Sequence, residues 1–207
     1  MIGGFRHKGL EEIHLTGKTR RIGADHIRKC VRILQLLEVA VQPEDMNIAG
    51  LRFHGLQGNP KRWSVRVTGI IGSLSAGRAK TLWMSILKTI IEEGMHREKV
   101  MARKNGLPPV HPGEIIKEDI LPSVGLSVTA AAKALGVSRQ MLHDILAERK
   151  PLSAIMCLKV SRLFGSSPEA WMRLQATYDL KKAEQNKNVM KRVQRIVPVK
   201  PVEEVRA

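Results

Sequence analysis

The run TAAAKALGVSRQMLHDILAERK, residues 129–150, constrains the fold more than any other stretch. Ala131, Ala132, Leu135, Val137, Leu142 and Ile145 are small or apolar, and Gly136 separates two segments that each suit a short helix. The first helix is predicted from about Thr129 to Leu135. Gly136 and Val137 make the turn, where a residue without Cβ takes positive φ freely, and Ser138 can cap the second helix through its hydroxyl oxygen. Two helices that meet at a short turn need small side chains on the first and two apolar anchors about a turn apart on the second. Ala132, Leu135, Gly136, Val137, Leu142 and Ile145 therefore form the expected core of a helix-turn-helix. Arg139, Gln140, His143 and Asp144 are left facing outward near the start of the second helix, from which base edges in a major groove are read.

The charge balance agrees with such a partner. The 207 residues carry a net charge of +16, which favours a polyanion, most simply nucleic acid, without choosing DNA over RNA. Aromatic residues make up only 3%, so there is little ring surface on which single-stranded bases could stack. Cys30 and Cys157 stand alone in apolar helical patterns, with neither zinc spacing nor a disulfide framework. They are expected to be packed thiols in a reducing compartment, and no metal or cofactor is expected. No apolar run precedes a cleavage site, and no stretch of about 18 uncharged residues occurs, so a cytoplasmic protein with no membrane partner is expected.

The overall fold class expected is α+β. Residues 1–22 read as a short apolar start (Ile2, Phe5) followed by basic and polar residues. Ile27, Val31, Leu34 and Leu37 then recur at helical spacing between about Ala24 and Ala40, with Arg28, Lys29 and Arg32 on the opposite side and Pro43 ending the helix. Leu51, Phe53 and then Trp63, Val65 and Val67 alternate with polar residues, which predicts two strands joined by a loop from His54 to Arg62. His54, Lys61, Arg62 and Arg66 could make a cationic patch for RNA. Cutting RNA without a metal needs cations around the scissile phosphate and a group that moves protons.

This first segment resembles the HigB toxins, ribosome-dependent RNA-cleaving proteins of the RelE-like α/β fold. The matching text is FRHKGLEEIHLTGKTRRI, PEDMNIAGLRFHGLQG and WSVRVTG, within residues 1–69. The resemblance implies a catalytic histidine at His54, but Gln57 stands where members commonly have lysine; Lys61 and Arg62, from the cationic patch, are the other vestigial catalytic candidates. After WSVRVTG the chain leaves the family pattern, which continues with a tryptophan–arginine strand and an acidic D-V-D-Y-E-D-Y-H tail. Permitted codons for Ala79 to Glu92, regrouped by one frame, read K-D-A-V-D-V-D-F-E-D-Y-H and then a stop. Residues 70–106 are therefore expected to be a frameshifted segment and linker, and the toxin-like part to be truncated. Leu82, Trp83, Met84, Ile86, Leu87, Ile90 and Ile91 make a potential amphipathic helix there.

From residue 107 to about 185 the pattern is that of successive helices. His111 to Glu114 open a helix through Ile115, Ile116 and Ile120, and Ser127 can cap the first motif helix. Ser153 is expected to cap a helix reaching Phe164, with Ile155, Leu158 and Leu163 partly inward and Gly165 at its end. Ser167 and Pro168 start a last helix carrying Trp171, Leu174 and Tyr178 on one face. Residues 186–207 read as a basic, poorly ordered tail. HPGEIIKEDILPSVGLSVTAAAKALGVSRQMLHDILAERKPLS and LFGSSPEAWMRLQATYDL resemble the HigA antitoxins of the XRE, or Cro/C1-type, helix-turn-helix family across about 107–185. The resemblance implies an all-α domain that dimerises, binds a palindromic operator in its own promoter and neutralises a cognate toxin.

Arg139 and Gln140 are the expected base-reading residues, since arginine can pair bidentately with guanine and glutamine with adenine. Ser138 and Lys150 suit phosphate contacts at the two ends of the helix, while His143 can reach a base or phosphate and Lys133 the backbone. The leading reading is a double-stranded operator-binding regulator acting as a homodimer, and not an enzyme. The alternatives are an RNA endonuclease using His54, or a non-catalytic protein that binds a HigB-like toxin.

Overall fold

The computed structural model describes residues 5, 7–57, 62–65, 67 and 106–197. Two helices open the described chain, α1 (Lys8–Thr16) and α2 (Ala24–Val39). The sequence reading missed α1, because its inward stripe is short: Leu10 and Ile13, with Gly9 beside them, are the buried positions. In α2, Cys30, Val31, Ile33, Leu34, Leu36 and Leu37 are buried together with Arg32 and Gln35, so this part of the helix is enclosed on all sides. α1 packs on α2, and His14 Nε2 meets Glu38 Oε1 at 2.6 Å.

Pro43 does not end α2. The helix closes at Val39, and Pro43 instead opens a 3-10 turn, Pro43–Met46, where its missing N–H is no loss. The strands are shorter than predicted. β1 (His54–Leu56) and β2 (Arg62–Ser64) pair antiparallel with His54 opposite Ser64, so His54 and Arg62 stand within the strands and not in the loop. Leu51, Val65 and Val67 serve the core from outside the paired residues.

The C-terminal half is all-α, which makes the chain α+β overall. It contains α3 (Pro112–Ile115), a π turn (Ile116–Ile120), α4 (Leu121–Val124), α5 (Val128–Leu135), α6 (Arg139–Leu146), α7 (Ala154–Phe164), α8 (Pro168–Gln185) and α9 (Lys187–Val193). Ser153 and Ser167 cap α7 and α8 as predicted, accepting from the N–H groups of Met156 and Ala170. The inward face of α7 is not the predicted one. Met156, Cys157, Val160 and Phe164 are buried, while Ile155, Leu158 and Leu163 are 67%, 60% and 37% exposed. The helix AIMCLKVSRLF carries apolar residues on more than one side, so two faces compete, and the core takes the one packed against α8. Trp171 and Leu174 on α8 are buried, and Trp171 Nε1 donates to Gly165 O at 3.1 Å. Both cysteines are buried free thiols.

Residues 187–193, expected to belong to a poorly ordered tail, form α9. Asn186 caps it by accepting from the N–H groups of Asn188 and Val189, and none of its residues is buried. The expected frameshifted segment and linker lie outside the described residues up to 105, as does the tail from 198.

One apolar core runs from Leu10 to Leu174 and joins both halves. A polar seam borders it. Arg32, expected on the outer side of α2, is 7% exposed and donates to Asp119 and, at 3.1 Å, to Glu114 Oε1. Arg28 Nε donates to the same Glu114 oxygen at 2.6 Å. The π turn aims Asp119 at α2 while Ile116 and Ile120 stay in the core. At the other end of the seam, Asp45 accepts from Ser167 Oγ at 2.6 Å and from Arg173 Nη2 at 2.7 Å. Ile48 bridges Gly165 there. Helical periodicity could not place these arginines, because their partners are more than eighty residues away along the chain.

Candidate nucleic-acid interface

Ser127 Oγ accepts from Ala130 N–H at 3.2 Å and starts α5. Ala131, Ala132 and Leu135 turn inward from it, and the two alanines let α6 come close. Gly136 closes α5 in the left-handed region at φ 60°, ψ 47°, which lets Val137 N–H return to Ala132 O at 3.0 Å. Ser138 Oγ accepts from Met141 N–H at 3.1 Å and starts α6. Leu142, Ile145 and Leu146 are buried and anchor α6, while Val137 is partly buried. Lys159 on α7 donates to Gly136 O at 2.9 Å and fastens the turn from outside, a contact with no signal in the sequence.

α6 is held from the other side by α3. A Cβ on Gly113 would stand 2.0 Å from Ile145 O, so only glycine permits this approach. His111, buried beneath, caps α3 by accepting Gly113 N–H on Nδ1 at 3.0 Å. Burial lowers the pKa of His111, against the opposing pull of Glu148, Asp179 and Glu114. Its ring meets Tyr178 edge-on at 4.8 Å, and Tyr178 donates to Glu148 Oε2 at 3.1 Å.

The outward face carries Ser138, Arg139, Gln140, His143 and, after the helix, Arg149 and Lys150, all exposed. Lys133 is exposed on α5. Arg139 has no hydrogen bond or ion pair among the described residues, so its guanidinium is open to an incoming ligand. Gln140, Arg149 and Lys150 converge on one carboxylate. Asp144 Oδ1 accepts from Gln140 Nε2 at 2.9 Å and from Arg149 Nη2 at 2.7 Å, and Lys150 Nζ lies 3.2 Å from Oδ2. Arg149, then Lys150, hold its pKa down to about 2. Arg149 Nη2 also lies 2.9 Å from His143 Nδ1. Sequence reasoning noted Asp144 only as outward-facing and passed over Arg149. The signal available was the spacing: a carboxylate five and six residues before two cations, with the chain turning back between them at Glu148, φ 59°.

The other predicted site residues are not brought to this face. His54 is exposed, with Nδ1 2.8 Å from Arg52 O. Arg62 lies in the opposite strand, paired with Leu56, and Lys61 falls outside the described residues. Among the described residues no group of three or more His, Cys, Asp or Glu could hold a metal ion, and no helix is long and apolar enough to cross a membrane.

The helix-turn-helix family matches residues 116–171, which span the π turn through Trp171. Virulence-associated protein I of Dichelobacter nodosus is 43% identical over 88 residues, covering 42% of this chain and 82% of that protein. Antitoxin HigA-1 of Vibrio cholerae is 32% identical over 78 residues, covering 38% and 73%. A solved structure of the Pseudomonas aeruginosa antitoxin HigA with the higBA promoter is 36% identical, covers 44% of this chain and 99% of its own, and superposes with a TM-score of 0.41. Identity at this level over most of each sequence relative shows that the chain belongs to the HigA-type helix-turn-helix family.

Proposed function

We propose that this chain is a sequence-specific, DNA-binding transcriptional regulator of the antitoxin type, acting on the operator of a toxin–antitoxin operon. The observation that carries this is the Ser138-capped α6, anchored by Leu142 and Ile145 and presenting Arg139, Gln140 and His143 outward between the basic flanks Lys133 and Lys150. Arg139 and Gln140 read bases, Ser138 contacts phosphate at the helix start, and Lys133 touches the backbone beside it. An eight-residue reading helix makes few contacts alone. Two copies on half-sites about 34–36 Å apart supply useful affinity, so the active species is a homodimer. The test is selection of duplexes from a random pool by the full chain, followed by titration and light scattering of the complex. Recovery of a palindrome bound by two chains is expected. Equal binding to every duplex would overturn the reading.

Residues 1–69 are read as the remnant of a RelE-like toxin held in cis against the helix-turn-helix domain. The ionic seam from Arg28 and Arg32 to Glu114 and Asp119 supports a docked module, and exposed His54 with no lysine at Gln57 supports an inactive one. A ribosome-dependent mRNA cleavage assay is expected to show no cut; cleavage abolished by His54→Ala would establish a nuclease instead. A pull-down with a separately supplied HigB-like toxin tests neutralisation of a partner in trans.

A further inference from the structure

We propose that Asp144 is the positioning residue of the reading face, fixing the Gln140 amide for a base edge and holding Arg149 and Lys150 back from general phosphate contact. The inference rests on the DNA-binding reading and deepens it.

A glutamine amide can be turned either way, and the two orientations present opposite hydrogen-bonding faces. A carboxylate only accepts, so the Gln140 Nε2–Asp144 Oδ1 contact of 2.9 Å admits only the NH2 group. That leaves Oε1 and the second N–H of Gln140 side by side, the acceptor–donor pair that matches N6–H and N7 of adenine. The residue four positions on, one helical turn away, thus settles what Gln140 can read.

The same carboxylate gathers two cations. Arg149 donates through Nε at 3.1 Å and Nη2 at 2.7 Å, and Lys150 sits 3.2 Å from the other oxygen. Their backbone N–H groups both return to Asp144 O, at 2.8 and 3.2 Å, so the chain itself folds these side chains over the acid. Each cation freed for phosphate would strengthen binding to any sequence by releasing counterions. Asp144 thus lowers the sequence-independent part of the attraction while ordering the sequence-reading part. An acid on the reading face of a +16 chain is otherwise a repulsive group facing DNA.

The test uses the full chain, one duplex selected from a random pool, the same duplex changed at single base pairs, and an unrelated duplex, each titrated over a salt series. Asp144→Ala is expected to bind the unrelated duplex more tightly, with a salt slope steeper by about two per chain as both cations are freed. Its preference for the selected duplex should fall about five- to hundred-fold, the loss concentrated at one A·T pair. Asp144→Asn keeps an acceptor oxygen but loses the charge, so its salt slope should steepen while it retains more of the preference than Asp144→Ala. In a Gln140→Ala background, removing the Asp144 side chain should cost no further discrimination at that pair.

Asp144→Asn preserves side-chain shape and keeps the comparison decisive if the alanine variant folds poorly. An unchanged preference in Asp144→Ala, or an unchanged salt slope in Asp144→Asn, would overturn the inference while leaving DNA reading intact. A wild-type chain with no preference for any duplex would instead overturn the underlying function.

Discussion

Arg139 is the side chain on the reading face with no partner among the described residues, and the cost of removing it should appear only when DNA is present. Arg139→Ala is expected to weaken binding to the selected duplex by about 1–3 kcal/mol and to relax specificity at one base pair, with little change in the urea midpoint. Ser138→Ala should behave differently. It deletes the acceptor for Met141 N–H and should cost about 0.5–2 kcal/mol of folding stability, read by urea denaturation without DNA. The Ser138 cap and the outward position of Arg139 were legible in the sequence, because both depend on neighbours a turn away. The Asp144 cluster was not, since it needs the chain reversal at Glu148 to bring Arg149 back over the helix.

Elements are placed by contacts that periodicity does not encode. HPGE was legible as a helix start, and α3 does begin at Pro112 after the cap His111. That Gly113 is where α3 meets the backbone of α6 depends on how those helices cross. Gly113→Ala is expected to push α6 away from its seat, costing about 1–3 kcal/mol of stability through overpacking and lowering DNA affinity as well. Parallel urea and DNA titrations check it; a variant unchanged in both would mean the helices separate easily. α7 teaches the same lesson in reverse. Its helix and both ends were legible, yet the buried face was chosen by α8 from among several apolar options.

Across the whole molecule, the two halves share one core and an ionic seam, and the seam should govern stability more than any single motif residue. Arg32→Ala would leave buried Asp119 with only Lys29, at 3.8 Å, and Glu114 with only Arg28, and is expected to cost about 1–3 kcal/mol, measured by the urea midpoint of the full chain. Asp45 gives the seam an acid limit. Burial alone would raise its pKa, but Ser167, the Val41 and Gln42 N–H groups and Arg173 bring it below the ordinary value. A carboxyl depressed on folding stabilises fully above about pH 4 and loses that contribution as the pH falls through its folded value. Asp45→Asn should therefore be less stable than the parent near neutrality and lose less on acidification. Parallel pH profiles of both chains would overturn this assignment.

What the amino-acid order determined by itself was local: caps at Ser127, Ser138, Ser153 and Ser167, the glycine turn at Gly136 and the outward set on α6, because these depend on residues within a turn or two of one another. The tertiary structure alone decided that Arg32 is buried, that α7 shows Ile155 and Leu158 to solvent, and that Asp144 gathers three side chains. Each of those depends on which surfaces meet in space, and a one-dimensional pattern carries the demand for a partner without naming the partner.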